Sequence, residues 1–76
     1  MKVLLNTGEI FQGTAHEIVN RMNETCWYVE ATKDEYMKEC AARAEIYTGE
    51  QISTTSPKAF LYSLESVNLL AIEESE

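Results

Sequence analysis

Residues 32–49, TKDEYMKECAARAEIYTG, set the frame for the rest of the chain. Apolar positions recur at Tyr36, Met37, Cys40, Ala41, Ala44 and Tyr47. That spacing lays them along one side of a helix with about 3.6 residues per turn. The other side carries Asp34, Lys38, Glu39, Arg43 and Glu45. Asp34 precedes Lys38, and Glu39 precedes Arg43, each by one helical turn, an order worth roughly 0.2–0.5 kcal/mol per pair. Thr32 followed by Glu35 matches the reciprocal pattern that satisfies the first turn's free N–H groups. Gly49 supplies a residue that adopts the left-handed conformation ending a helix. The pattern predicts a helix over 33–48 with the whole apolar stripe, Cys40 and Tyr47 included, turned to the core.

Upstream, KVLLNTGEIFQG (2–13) reads as a β-hairpin. Asn6-Thr7-Gly8 suits a three-residue turn whose last member is left-handed. A two-stranded hairpin alone is marginal in water, so this one needs helices or a third strand. Thr14 and Glu17 repeat the capping pattern and open a helix over 14–25, with Ala15, Ile18, Val19 and Met22 facing inward. Asn20 and Asn23 are poor helix formers, so this helix depends on packing and is expected to fray from Asn23. Downstream, Gln51–Thr55 is polar and anchored by Ile52, as a short extended piece or a loop. Ser56-Pro57 starts a third helix over 57–67, with Ser as cap and Pro where its missing N–H costs nothing. Its buried stripe is Phe60, Leu61, Leu64 and Val67. Asn68 is placed to end it in the left-handed conformation, with Leu69 folding back toward Leu64. LLAIE (69–73) follows as a strand. The order is β-β-α-α-(β)-α-β in one domain, 1–76, the bracketed strand being Gln51–Thr55 if it is extended, with no repeat or linker. The expected class is α+β: the hairpin and the C-terminal strand form one small antiparallel or mixed sheet, packed by three helices.

Composition narrows function more than it defines it. Seventy-six residues at 45% hydrophobic and 25% charged suit a soluble globular domain. So short a chain buries only about 60–65% of its unfolded surface. Its apolar runs fall short of the roughly 20 residues needed to cross a bilayer. Met1-Lys2 leads straight into a strand pattern with no signal-peptide core, so the expected location is cytoplasmic. Thirteen acids against six bases give a net charge of −7. The bases are scattered among acids, which disfavours nucleic acid. Cys26, Cys40 and His16 lack the close spacing of zinc ligands, and two cysteines without a secretion signal do not make a disulfide framework.

No catalytic constellation emerges. His16 is the only histidine, at the start of a helix. Ser53-Thr54-Thr55-Ser56 lacks a nucleophile elbow, and the three glycines punctuate turns without forming a phosphate loop. Glu24, Glu30, Asp34 and Glu35 do not follow the order of a calcium loop. No cofactor or metal is expected. The expected function is non-catalytic: a small acidic protein-interaction, adaptor or regulatory domain. Its candidate surface is Trp27 and Tyr28, between the first two helices, with Glu30, Asp34 and Glu35 beside them. Aromatic residues serve two purposes, and Trp27 reads as the plug of one end of the core ahead of an exposed anchor, with Tyr28 closer to even between the two. The alternative is a nucleic-acid module using Arg21, Lys38 and Arg43 as a basic strip. The partner is expected to be another protein, with self-association open to any apolar surface left uncovered.

The segments TGEIFQGTAHEIV (7–19), EYM (35–37), TG (48–49) and SPKAFLYSL (56–64) together resemble a group of small prokaryotic and phage-type proteins of unknown function. The resemblance covers nearly the whole chain. It implies a compact cytosolic α+β domain and brings no activity, cofactor or site residue with it.

Overall fold

The computed structural model describes residues 1–26 and 29–73. Its elements are β1 (Lys2–Leu5), β2 (Ile10–Gln12), α1 (Ala15–Glu24), α2 (Lys33–Thr48), α3 (Pro57–Ser66) and β3 (Leu70–Glu73). The three strands form an antiparallel sheet in the order β2-β1-β3, and the expected α+β class holds. Val3 pairs with Phe11 on one side and Ile72 on the other. β1 is therefore central, and the C-terminal strand supplies the hairpin's third member.

The turn between β1 and β2 is set by local chemistry. Gly8 takes φ 97°; its N–H donates to the Leu5 carbonyl at 2.9 Å, and the Leu5 N–H donates to the Glu9 carbonyl at 2.8 Å. Side chains alternate along each strand, which sorts the sheet into two faces. Val3, Phe11 and Leu70 are buried toward the helices, with Leu5 and Ile72 packed against the same core. Lys2, Leu4, Ile10, Gln12, Ala71 and Glu73 take the opposite face. There Lys2 Nζ lies 3.9 Å from a Glu73 carboxylate oxygen across the two paired strands, and Ile10 is exposed.

Each helix begins at an oxygen-bearing cap. Thr14 Oγ1 accepts from the Glu17 N–H at 3.1 Å while Glu17 Oε1 accepts from the Thr14 N–H at 2.9 Å, a complete reciprocal cap. Gly13 is required beside it: φ is 140°, and a Cβ there would sit 2.8 Å from Glu17 Oε1. At α2, Thr32 Oγ1 accepts from the Glu35 N–H, but Glu35 Oε1 accepts from the Thr32 hydroxyl at 3.2 Å instead of from its backbone. Ser56 caps α3 through the Ala59 N–H, with Pro57 at its first position. Gly49, at φ 74°, closes α2. Asn68, at φ 64°, closes α3: the Leu69 N–H reaches the Leu64 carbonyl and the Asn68 N–H that of Glu65.

The core forms where the three helices meet the inner sheet face. Phe60, Ile18, Met37, Leu61, Val3 and Val19 have fully buried side chains. The Tyr36 and Phe60 rings meet edge-on at 6.4 Å and 70°, an arrangement worth about 0.5–1.5 kcal/mol beyond area burial. α1 packs on β2 and α3 on β3, whereas the principal neighbours of α2 are α1 and α3. α2 is thus a second layer, and only part of its length has a surface to cover. Its buried residues are Tyr36, Met37, Ala41 and Ala44. Tyr47, expected in that stripe, is 88% exposed, and Ile46 beside it 84%. The stripe ends one turn early because α2 outruns the core beneath it. Val67 is likewise only half-buried. Nor does Asp34 form the expected pair with Lys38; its carboxylate lies 3.9 Å from Lys33 Nζ.

Glu17 makes acid sensitivity predictable. The hydrogen bond from the Thr14 N–H, followed by that with the Thr14 hydroxyl, holds its carboxyl below the ordinary 4.5. A carboxyl lowered on folding contributes stability above its unfolded pKa and loses it as pH falls through the folded one. The thermal midpoint should therefore drop as pH falls below about 4.5, and Glu17→Gln should flatten that drop while lowering the midpoint at neutral pH. Circular dichroism melts of the two proteins across the acid range check it.

Candidate functional site

The connection from α1 to α2, which the sequence marks as the candidate surface, is built around a residue expected to fray. Asn23 lies inside α1 and is only 7% exposed. Its Nδ2 donates to the Glu30 carbonyl at 3.0 Å, and its Oδ1 accepts from the Glu30 N–H at 2.9 Å. One amide side chain thus pairs with both backbone groups of a residue across the connection, imitating a strand partner. Trp27 and Tyr28 lie outside the described residues. Of the acids proposed beside them, Glu30 is half-buried and held by Asn23, Asp34 is exposed against Lys33, and Glu35 turns back onto the Thr32 cap. Two of the three therefore have structural partners at α2's first turn, and Glu30 is fixed through its backbone. Among the described residues no group of three or more His, Cys, Asp or Glu side chains is gathered to hold a metal ion, and no helix is long and apolar enough to cross a membrane.

A different surface is formed where α2 stands clear of the sheet. An open groove of about 260 Å³ runs between the end of the sheet and α2. Leu5, Leu69 and Leu70 line it from the sheet side with Leu64 of α3; Cys40, Ala44 and Tyr47 line it from α2. Met22 of α1 adds to the apolar lining, and Arg43 is the one charged residue among these positions. The groove follows from the layering: α2 rests on α1 and α3, leaving the Leu5–Leu70 end of the sheet incompletely covered. Sequence periodicity assigns Tyr47 to the core because it sees the spacing of a stripe and not the length of the surface beneath it. A usable signal was present in Ile46, an aliphatic residue next to Tyr47 that no inward stripe accommodates.

Near the groove, thiol, phenol and guanidinium groups meet. The Tyr36 hydroxyl is raised well above its ordinary pKa, first by burial and then by Cys40 and Cys26 beside it. Arg43 Nη2 donates to Cys40 Sγ at 3.7 Å. The same interaction is the main cause of the upward shift of the Arg43 guanidinium. Both cysteines are free and half-buried.

A second hollow, of about 390 Å³, is bounded by Gln51–Thr55 and Ser63. Its polar groups serve the loop. The Ser53 N–H donates to Ser63 Oγ at 3.2 Å, the Ile52 N–H to Glu45 Oε2 at 3.1 Å, and Ser53 and Thr55 share a hydroxyl contact. Lys38 and Arg43 are five positions apart on α2, roughly 140° around an ideal helix axis, so they face different directions. His16 is exposed at the start of α1.

No family model, curated protein or solved structure matches the chain. Residue chemistry alone therefore carries the functional reading.

Asn23→Ala removes both clamp bonds and leaves the Glu30 N–H and carbonyl without their partner. At roughly 1 kcal/mol per bond and more for a group left buried, the loss should be about 2 kcal/mol. Urea denaturation measures it, and hydrogen exchange at Glu30 should accelerate in the same variant.

Proposed function

We propose that the chain is a small acidic, non-catalytic protein-binding domain, cytoplasmic in location, that takes up an apolar side chain from a partner segment in the α2–sheet groove. The observation that carries this reading is the exposure of Tyr47, beside Ile46, at the mouth of a groove lined by four leucines. Large apolar side chains grouped around a concave apolar surface mark binding sites more often than chance exposure does. Tyrosine suits the role because it offers broad contact area at low conformational cost and a hydroxyl for the solvent edge.

Charge sets the partner's chemistry. A net charge of −7, with Glu39, Glu45 and Glu50 exposed along the same helix and its end, attracts a segment whose apolar anchor is flanked by Lys or Arg. The aromatic pair Trp27–Tyr28, with Glu30, Asp34 and Glu35, belongs to the same proposal as a second part of the surface.

Selection of a random peptide library on the folded protein tests the reading. Enriched peptides should carry one bulky apolar residue among basic ones. Their affinity should fall by at least about tenfold for Tyr47→Ala, the loss typical of an aromatic anchor worth more than 1 kcal/mol. Tyr47 makes little contact with the core, so the variant should keep the wild-type melting temperature. Peptides binding wild type and Tyr47→Ala equally, or no enrichment, would remove the groove from consideration. The same acidity predicts no measurable affinity for random duplex DNA at low salt, where electrostatic binding is strongest; fluorescence anisotropy with a labelled duplex decides it.

A further inference from the structure

The two edges of the sheet are finished differently. Val3 stands opposite Phe11, and that pair is flanked by bonds from the Leu5 N–H to the Glu9 carbonyl and from the Gly13 N–H to the Met1 carbonyl. Glu9, Phe11 and Gly13 therefore turn their backbone groups toward β1, and Ile10 and Gln12 turn theirs outward. The outward N–H groups elsewhere on the sheet have side-chain acceptors. Glu17 Oε1 takes that of Thr14 at 2.9 Å, and on the far edge Glu65 Oε2 takes that of Ile72 at 3.0 Å. Among the described residues nothing accepts from the Ile10 or Gln12 N–H, and β1 is the only strand paired with β2. Both residues are exposed, and Ile10–Gln12 carries no lysine, proline or bulge to blunt the edge.

We propose that the β2 edge accepts an extended basic segment of a partner protein as a fourth, antiparallel strand. Ile10 and Gln12 offer two donors and two acceptors, which two residues of an incoming strand satisfy. Charge selects the occupant. Glu9, exposed, stands at one end of the edge. Glu17 stands at the other, its Oε1 2.8 Å from the place a Gly13 Cβ would take. Lys2, opposite Gln12, is turned to Glu73. Arg21, one turn along α1 from Glu17, balances only one carboxylate, so the edge remains acidic. A segment with Lys or Arg on both sides of three uncharged residues meets both carboxylates.

A second copy of the chain fits worse. The register that engages both outward residues of each strand sets Ile10 against Gln12 and Phe11 on the two-fold axis. It brings Glu9 of one copy beside Gly13 and Glu17 of the other, acid against acid. The middle residue of a foreign segment falls opposite Phe11, and its next residue lies beside the exposed Ile10 side chain; apolar residues suit both places. The groove draws no residue from β2, so this site does not depend on what the groove binds.

Nuclear magnetic resonance titration of the isotope-labelled chain with the peptide acetyl-KTIVK-amide tests the proposal. So short an edge buries far less than a stable complex, and the expected dissociation constant is on the order of a millimolar. The Ile10 and Gln12 amide signals should shift and saturate. N-methylation of the second or fourth peptide residue, whose N–H groups face the edge, should abolish the shifts, and methylation of the third should leave them. Acetyl-ETIVE-amide should bind about tenfold more weakly, and Glu9→Gln should weaken the basic peptide about twofold to fivefold, the scale of one exposed ion pair. Shifts confined to the groove around Tyr47, equal loss from methylation at the second and third residues, or equal affinity for the acidic peptide would each overturn the proposal. Ile10 and Gln12 signals that move on dilution of the protein alone would overturn it in favour of a second copy.

Discussion

The pairing of β3 with the free edge of β1 is the constraint on which the rest of the molecule depends. It converts a marginal hairpin into a three-stranded sheet and makes β1 a central strand, so that Val3 is covered on both sides and beneath. It also returns the chain from α3 to its own beginning, fixing where all three helices lie. The join is reinforced by polar groups. Asn6 Nδ2 donates to the Asn68 carbonyl at 3.1 Å, linking the hairpin turn to the turn after α3. Val3 directs its backbone groups to Phe11, so its other neighbour, Ile72, presents its N–H outward. Glu65 Oε2 accepts that N–H at 3.0 Å, covering part of an edge that would otherwise invite another strand.

That last contact belongs to a pattern. Short elements leave many backbone groups near their ends without regular partners, and this chain answers with side chains. Glu17 takes the Thr14 N–H, Glu45 the Ile52 N–H, Glu65 the Ile72 N–H, and Asn23 both backbone groups of Glu30. Among the described residues no buried side-chain polar atom lacks a hydrogen-bond partner. The acidic composition is therefore partly architectural. Carboxylates accept backbone N–H groups at several junctions and still contribute to the negative surface that favours a basic partner. The acids before and at the start of α2 have other partners: the Asp34 carboxylate lies by Lys33, that of Glu35 accepts from the Thr32 hydroxyl, and Glu30 is held through its backbone.

Much of the fold was legible because its signals are local. Thr14, Thr32 and Ser56 each reach a backbone N–H three residues ahead, an interaction whose geometry lies within one turn. Gly8, Gly49 and Asn68 mark turns by their own backbone freedom. The candidate site was far less legible. Tyr47 shares the spacing of α2's buried stripe, yet burial needs a facing surface, and the facing surface ends at Ala44. Asn23 carries a low helix propensity that suggests fraying, but its amide finds both backbone groups of Glu30 seven residues on, a partnership that propensity does not register.

By itself the sequence determined what lies within reach of a turn or a helical repeat: where each helix starts and stops, which strand residues alternate, and that the class is α+β. Tertiary structure alone decided which part of each apolar stripe meets another surface. It laid α2 over α1 and α3 instead of directly over the sheet, so the Leu5–Leu70 end stayed open as a groove, with Tyr47 and Ile46 exposed at its side. The reason is that helix amphipathicity is periodic and continues as long as the helix does. Burial depends on the extent of the neighbouring layer, which is set by contacts between residues far apart in the chain.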